Sequence, residues 1–122
     1  MANDFKRNTV PSVNTSTGAS ASAVYTVPAG GGATALESIV IGITLANKTT
    51  SGVTASVFLD NYDGTNDVYI VKDASIPAGS SLEVMSGNKI VLQNDGTTGD
   101  VLRISSNTAT AVDATVTVLE DV

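Results

Sequence analysis

The sequence predicts an all-β fold: an antiparallel β-sandwich of jelly-roll type with about eight strands, covering residues 23–122, behind an extended N-terminal arm at residues 1–22. Three observations predict it. Sixteen valines and twenty-nine serines or threonines stand against three glutamates, Glu37, Glu83 and Glu120, a vocabulary that suits strands and starves helices. Apolar residues recur at every second position in segment after segment, which is the period of a pleat. Turn chemistry separates those segments at roughly 10-residue spacing, as in sandwiches and barrels.

The strands follow in order. After "AVYTV", the segment "SIVIGITLA" places Ile39, Ile41, Ile43 and Leu45 on one side, with Ser38, Val40, Gly42, Thr44 and Ala46 on the other. Helical spacing collects only Ile39, Ile43 and Ala46, and the β-branched run opposes a helix. Val53, Ala55, Val57 and Leu59 form the next apolar row, followed by Val68 with Ile70 and Leu82 with Val84. A short "KIVLQ" strand comes next, then Leu102 with Ile104, and Val112, Ala114, Val116 and Val118 close the body.

The corners are equally legible. "YTVPAGGG" returns as "ASIPAGSS", and both predict a type I turn with proline second, alanine third and glycine fourth. Val27 and Ile76 end the incoming strands, because a residue before proline is held extended. The repeat marks equivalent corners in two halves of the sandwich. "NKTTSG", "NYDGTND", "SGNK", "NDGTTGD" and "NTAT" supply the other connections, with Asp-Gly steps for left-handed backbone.

Residues 1–22 differ, being small and polar without a core-grade apolar face, so they are expected to form an extended arm or a loosely attached first strand outside the core, and such arms find structure on a neighbour. The candidate partner-binding residues of this arm are Asn3, Phe5, Lys6, Arg7 and Val10. Phe5 is expected to fill an apolar hole on a neighbouring subunit while Lys6 and Arg7 pair with its acidic groups.

Composition excludes most chemistry. No histidine and no cysteine are present, which removes the commonest general base, thiolate nucleophiles and disulfides. "PAGGGAT" has neither the spacing nor the lysine of a phosphate loop. Asp60, Asp63 and Asp67 fail the calcium-loop template, since Leu59 and Ile70 occupy its anchor positions. No cofactor is expected, and no enzyme. Beyond residue 30, four basic residues face eleven acidic ones, a balance that repels phosphate backbones, so no nucleic-acid partner is expected. No apolar run approaches a membrane span and no secretory signal opens the chain, so neither membrane insertion nor export is expected.

The stretches "MANDFKR", "VYTVPAG", "IVIGITLANKTTSGVTASV", "VYIVKDASIPAGSSLEVMSGNKIVL" and "SSNTATAVDATVTVLED" cover most of the chain. In them the chain resembles the small virion structural proteins of tailed bacteriophages, those of marine and cyanobacterial phages above all. The resemblance implies a β-sandwich without catalytic residues that decorates or cements a capsid by binding major capsid subunits. A place in the tail, neck or baseplate is the alternative. Such a protein is expected in the virion, in host cytoplasm during assembly, and as a homo-oligomer, dimer or trimer, whose subunits cover one another's strand edges. A carbohydrate- or host-surface-binding module with Asp60, Tyr62 and Asp63 at its site is a further alternative.

Overall fold

The computed structural model describes residues 3–61, 67–85 and 89–121. It is a sandwich of two antiparallel sheets. The strands are β1 (Asn3–Val10), β2 (Ser22–Thr26), β3 (Leu36–Asn47), β4 (Val53–Asp60), β5 (Asp67–Ile76), β6 (Ser81–Glu83), β7 (Ile90–Asn94), β8 (Val101–Ser106) and β9 (Val112–Asp121). One sheet runs β1-β9-β3-β6, with β7 also on β3; the other runs β2-β8-β4-β5. Strands β6 and β7 share one edge of β3, pairing with Thr44–Ala46 and Leu36–Val40. The chain changes sheet at every connection except β4 to β5 and β6 to β7.

The core lies between the sheets and draws on both. Val40, Ile43, Leu45, Leu92, Val116 and Val118 meet Val57, Leu102, Ile104 and Ile76, all of them fully buried. Each such side chain stabilises the fold by roughly 1.5–3 kcal/mol through loss of water contact. The predicted inward rows hold for β9, for β8, and for Val53, Ala55 and Val57 of β4, while Leu59 is half-buried. Phe58, on the opposite face of β4, is also buried, between Tyr69 and Arg103, its ladder neighbours on β5 and β8. Its ring centroid lies 5.2 Å from that of Tyr69. In β5, Val68 is exposed, while Ile70 and Val71 pack, partly buried, against the core that Ile76 enters at the strand's end.

The single-face reading of β3 is corrected. The register against β9 shifts between Val40 and Gly42, so Ile41 is an extra residue with no partner across the ladder. Leu36, Ser38 and Val40 face inward before this bulge, and Ile43, Leu45 and Asn47 after it. Ile39 and Ile41 therefore face out. A bulge inverts the phase of a pleat because it inserts one residue into a period of two.

Of the two readings of the N-terminal segment, the detached arm is corrected and the first strand holds. Residues 3–10 are an edge strand of this same chain, paired with β9 from Asn3↔Asp121 to Val10↔Ala114. Val13 sits in the core, and its N–H donates to the Val112 carbonyl at 2.8 Å. An edge strand needs little apolar character, since solvent reaches both its faces at the rim, and the ladder supplies the attraction. Beyond it, Asp113 accepts hydrogen bonds from Lys48 Nζ at 2.8 Å and from the Ser12 N–H at 2.9 Å. These partners, Lys48 first, hold its carboxyl below the usual carboxylate range. The pair is half exposed and contributes little to stability.

The repeated proline phrases are equivalent in role and different in shape. Both carry the chain from the β2-β8-β4-β5 sheet to the other, after a fully buried residue, Val27 or Ile76. In the second, the turn starts one residue later than the sequence suggests. Ser80 N–H donates to the Pro77 carbonyl at 3.1 Å, and Gly79 stands third with φ +68°, where a type II turn requires glycine. The first makes no such turn at Pro28; its reversal lies further on, where Gly30 and Thr34 bridge around Gly32 at φ +71°.

A buried asparagine clamps each corner. Asn47 Nδ2 donates to the Ile76 carbonyl at 3.0 Å, and Asn94 Nδ2 to the Val27 carbonyl at 2.8 Å. In both, Oδ1 accepts the N–H two residues on, from Thr49 at 2.9 Å and Gly96 at 2.7 Å. Each clamp fixes a sheet-changing corner against the end of a strand in the other sheet. At the Asn94 corner, Gly99 lies so close to the Val27 carbonyl that a Cβ there would overlap its oxygen. Gly99→Ala is expected to lower stability by about 2 kcal/mol, since backbone must move to admit the methyl group. Urea unfolding checks this, and a loss below about 0.5 kcal/mol would show that the corner yields freely.

Candidate interaction surface

The outer face of the β1-β9-β3-β7 layer carries an apolar row that the core does not use. Register defines it: Phe5 pairs with Leu119, Leu119 with Ile39, and Ile39 with Val91, so four apolar residues from four strands stand side by side. Direct partners in an antiparallel ladder share a face. Phe5 is 74% exposed and Val91 55%, while the inner members Leu119 and Ile39 are half-buried by their neighbours. Ile41, thrown outward at the bulge, adds to the same face at 37% exposure.

Two flanks border the row. On one side the next outward residues are Arg7, Thr117 and Gly42, with exposed Lys89 one residue before β7. On the other they are Glu37 and Gln93, direct partners on β3 and β7. Beyond the Arg7 flank lie Thr9, Thr115, Thr44 and Glu83. The apolar row thus separates a basic flank from an acidic one.

This geometry splits the arm residues expected to act together. Phe5 and Arg7 share the outer face; Lys6, exposed, lies on the opposite side of β1 with Val118 as its partner. Consecutive residues of a strand cannot face one surface. Val10 packs, half-buried, against the core of its own chain. Asn3 stands opposite Asp121 in the β1–β9 ladder. Leu119, Ile39 and Val91, the rest of the row, escape the sequence reading; Gly42 inside a strand pattern is the one signal that hints at the bulge exposing Ile39.

The polar groups elsewhere are structural. Tyr25 donates its hydroxyl to Glu120 Oε2 at 2.6 Å, and Ser38 Oγ lies 2.7 Å from the same hydroxyl. All three are buried between the sheets. Burial first, and Glu120 next, raise the Tyr25 hydroxyl well above its ordinary range, so it serves as a fixed donor. Asp95 accepts the N–H groups of Thr98 and Thr97, which hold its carboxyl below the usual range. Asp100 accepts from the Gln93 N–H at 2.9 Å.

Asp60, a candidate for sugar binding, is engaged by Arg103 Nε at 2.9 Å, while Tyr62 and Asp63 lie outside the described residues. Two shallow grooves, of about 170 Å³ beside Glu37 and Gln93 and about 240 Å³ beside Val10 and Asp113, fall short of the roughly 300 Å³ where small-molecule sites begin. Among the described residues no group of histidine, cysteine, aspartate and glutamate is placed to hold a metal ion, and no helix is long and apolar enough to cross a membrane. Comparison with protein-family models, with curated proteins and with solved structures finds no match for this chain.

Proposed function

We propose that this chain is a bacteriophage virion structural protein that works by contact and carries out no chemistry, most concretely a capsid decoration or cement protein binding major capsid subunits. The observation that carries this reading is the outward apolar row of Phe5, Leu119, Ile39 and Val91 on an open sheet face. Solvated sheet faces normally carry polar residues, so a contiguous apolar row rimmed by charge marks a surface that meets another macromolecule.

The strand order gives further support. With β6 and β7 counted as one interrupted strand, the orders β1-β9-β3-β6 and β2-β8-β4-β5 support a jelly-roll reading of the sandwich, an architecture used by viral capsid and lectin domains. Fold alone does not fix function. The resemblance of the quoted sequence stretches to tailed-phage virion proteins chooses the capsid side of that pair, and the engagement of Asp60 by Arg103 weighs against the sugar-binding side.

Gel densitometry of purified particles against the major capsid band tests the proposal. Decoration requires copies in the tens to hundreds per particle. A count near a dozen would move the chain to the tail or neck, and its absence from particles would overturn the virion reading altogether.

A further inference from the structure

We infer that the outer face of the β1-β9-β3-β7 layer takes a second copy of this chain, forming a two-fold dimer whose axis runs along the apolar row. The inference rests on reading the chain as an assembly component and names the partner, the face and the symmetry. Size is the first argument. Four strands at about 4.8 Å spacing and about 25 Å of strand length present a flat face that, doubled across a dimer, buries on the order of 1,000 Å². That is enough for a specific contact.

Charge is the second argument, and it selects the axis. Arg7 and Lys89 lie along one flank of the row at its β1 and β7 ends, and Glu37 lies on the other flank on β3. A two-fold along the row turns the second copy over, so that its acidic flank lies above the basic flank of the first. Lys89 then comes above Gln93 of the second copy, with the second copy's Glu37 one strand away. A two-fold along the strands would instead stack Arg7 on Lys89, which like-charge repulsion opposes.

The apolar row meets its own counterpart in this arrangement. Phe5 is the most exposed large apolar side chain of the face, and it supplies the aromatic anchor that dominates contacts of this kind. The opposite rim and Lys6 on the other side of β1 stay free for a further partner such as the shell.

Sedimentation equilibrium of the full chain in solution, from about 1 to 100 μM, provides the test. A monomer–dimer equilibrium is expected, with Phe5→Asp and Val91→Asp each weakening it at least about 30-fold, as hot-spot losses do, while thermal unfolding stays near that of the parent. Glu37→Lys and Lys89→Glu are each expected to weaken the dimer, and the double variant to restore it, because the pair is exchanged across the axis. A chain that is monomeric at 100 μM, a trimer, or a dimer indifferent to both aspartate variants would overturn the inference. So would a double charge exchange no better than either single one. Monomers in solution with many copies on particles would sink the dimer and leave the virion role standing; dimers in solution with none on particles would do the reverse.

Discussion

Deletion of residues 2–12 is expected to lower stability by on the order of 3 kcal/mol and to make the chain self-associate without limit. Two losses set the stability term. The ladder between β1 and β9 disappears along its whole length, and the half-burial of Val10 on the core goes with it. At roughly 4 °C per kcal/mol for a domain of this size, the melting temperature falls by more than about 10 °C.

Self-association follows for a separate reason. Without β1, the ten-residue strand β9 becomes an edge, with Val112, Val116 and Val118 toward the core and Leu119 on the outer face. A long, regular, apolar edge is a template for pairing with other chains. Thermal unfolding and size-exclusion chromatography of the truncated chain check both effects. A truncated protein that stays monomeric and melts within about 2 °C of the full chain would restore the view of these residues as a dispensable arm.

Asn47→Asp is the second large effect, and it changes one atom group. The Asn47 amide nitrogen donates to Ser51, Ile76 and Pro77 carbonyl oxygens at 2.8, 3.0 and 3.2 Å. Its Oδ1 accepts from Thr49. Three acceptors on one side and donors on the other fix the orientation of the amide. Aspartate keeps the Thr49 contacts but turns a negative oxygen toward three carbonyl oxygens in a site only 2% exposed.

The cost is about 4 kcal/mol at neutral pH, in the range found when a buried charge lacks a partner. Protonation removes the charge and restores one donor, so the cost falls to about 2 kcal/mol in acid. The sign follows from the direction of the shift. Burial against carbonyls raises the folded-state pKa of the new carboxyl above its unfolded value, so the folded state binds the extra proton. Relative stability is therefore best below the unfolded carboxylate range and is lost as pH rises through the folded pKa. Urea unfolding of both proteins at about pH 4 and pH 7 provides the comparison. A deficit that does not grow with pH would show that the side chain escapes to solvent.

The existence and number of the strands were legible because alternation is a local property. A valine row such as Val112, Ala114, Val116 and Val118 needs only its own residues to declare a buried face, and the structure buries all four. Ile39 and Ile41 were misplaced because one extra residue at the bulge inverts the pleat, a change invisible to a count of apolar positions. Residues 3–10 concealed a strand because an edge strand can be polar on both faces. Asn47 and Asn94 look like ordinary turn formers in sequence; only the fold brings each within reach of a carbonyl at the corner before a proline.

The amino-acid sequence by itself determined the class of this protein: a cysteine-free, histidine-free β-sandwich with corners at its Asp-Gly and Pro-Ala-Gly steps. Those features depend on composition and on neighbours one to four positions apart, which a single chain displays directly. Tertiary structure alone decided the surface. The row of residues 5, 119, 39 and 91 exists only once β1, β9, β3 and β7 adopt their pairing register, since hydrogen-bonded ladders align residues more than a hundred positions apart to within one side chain.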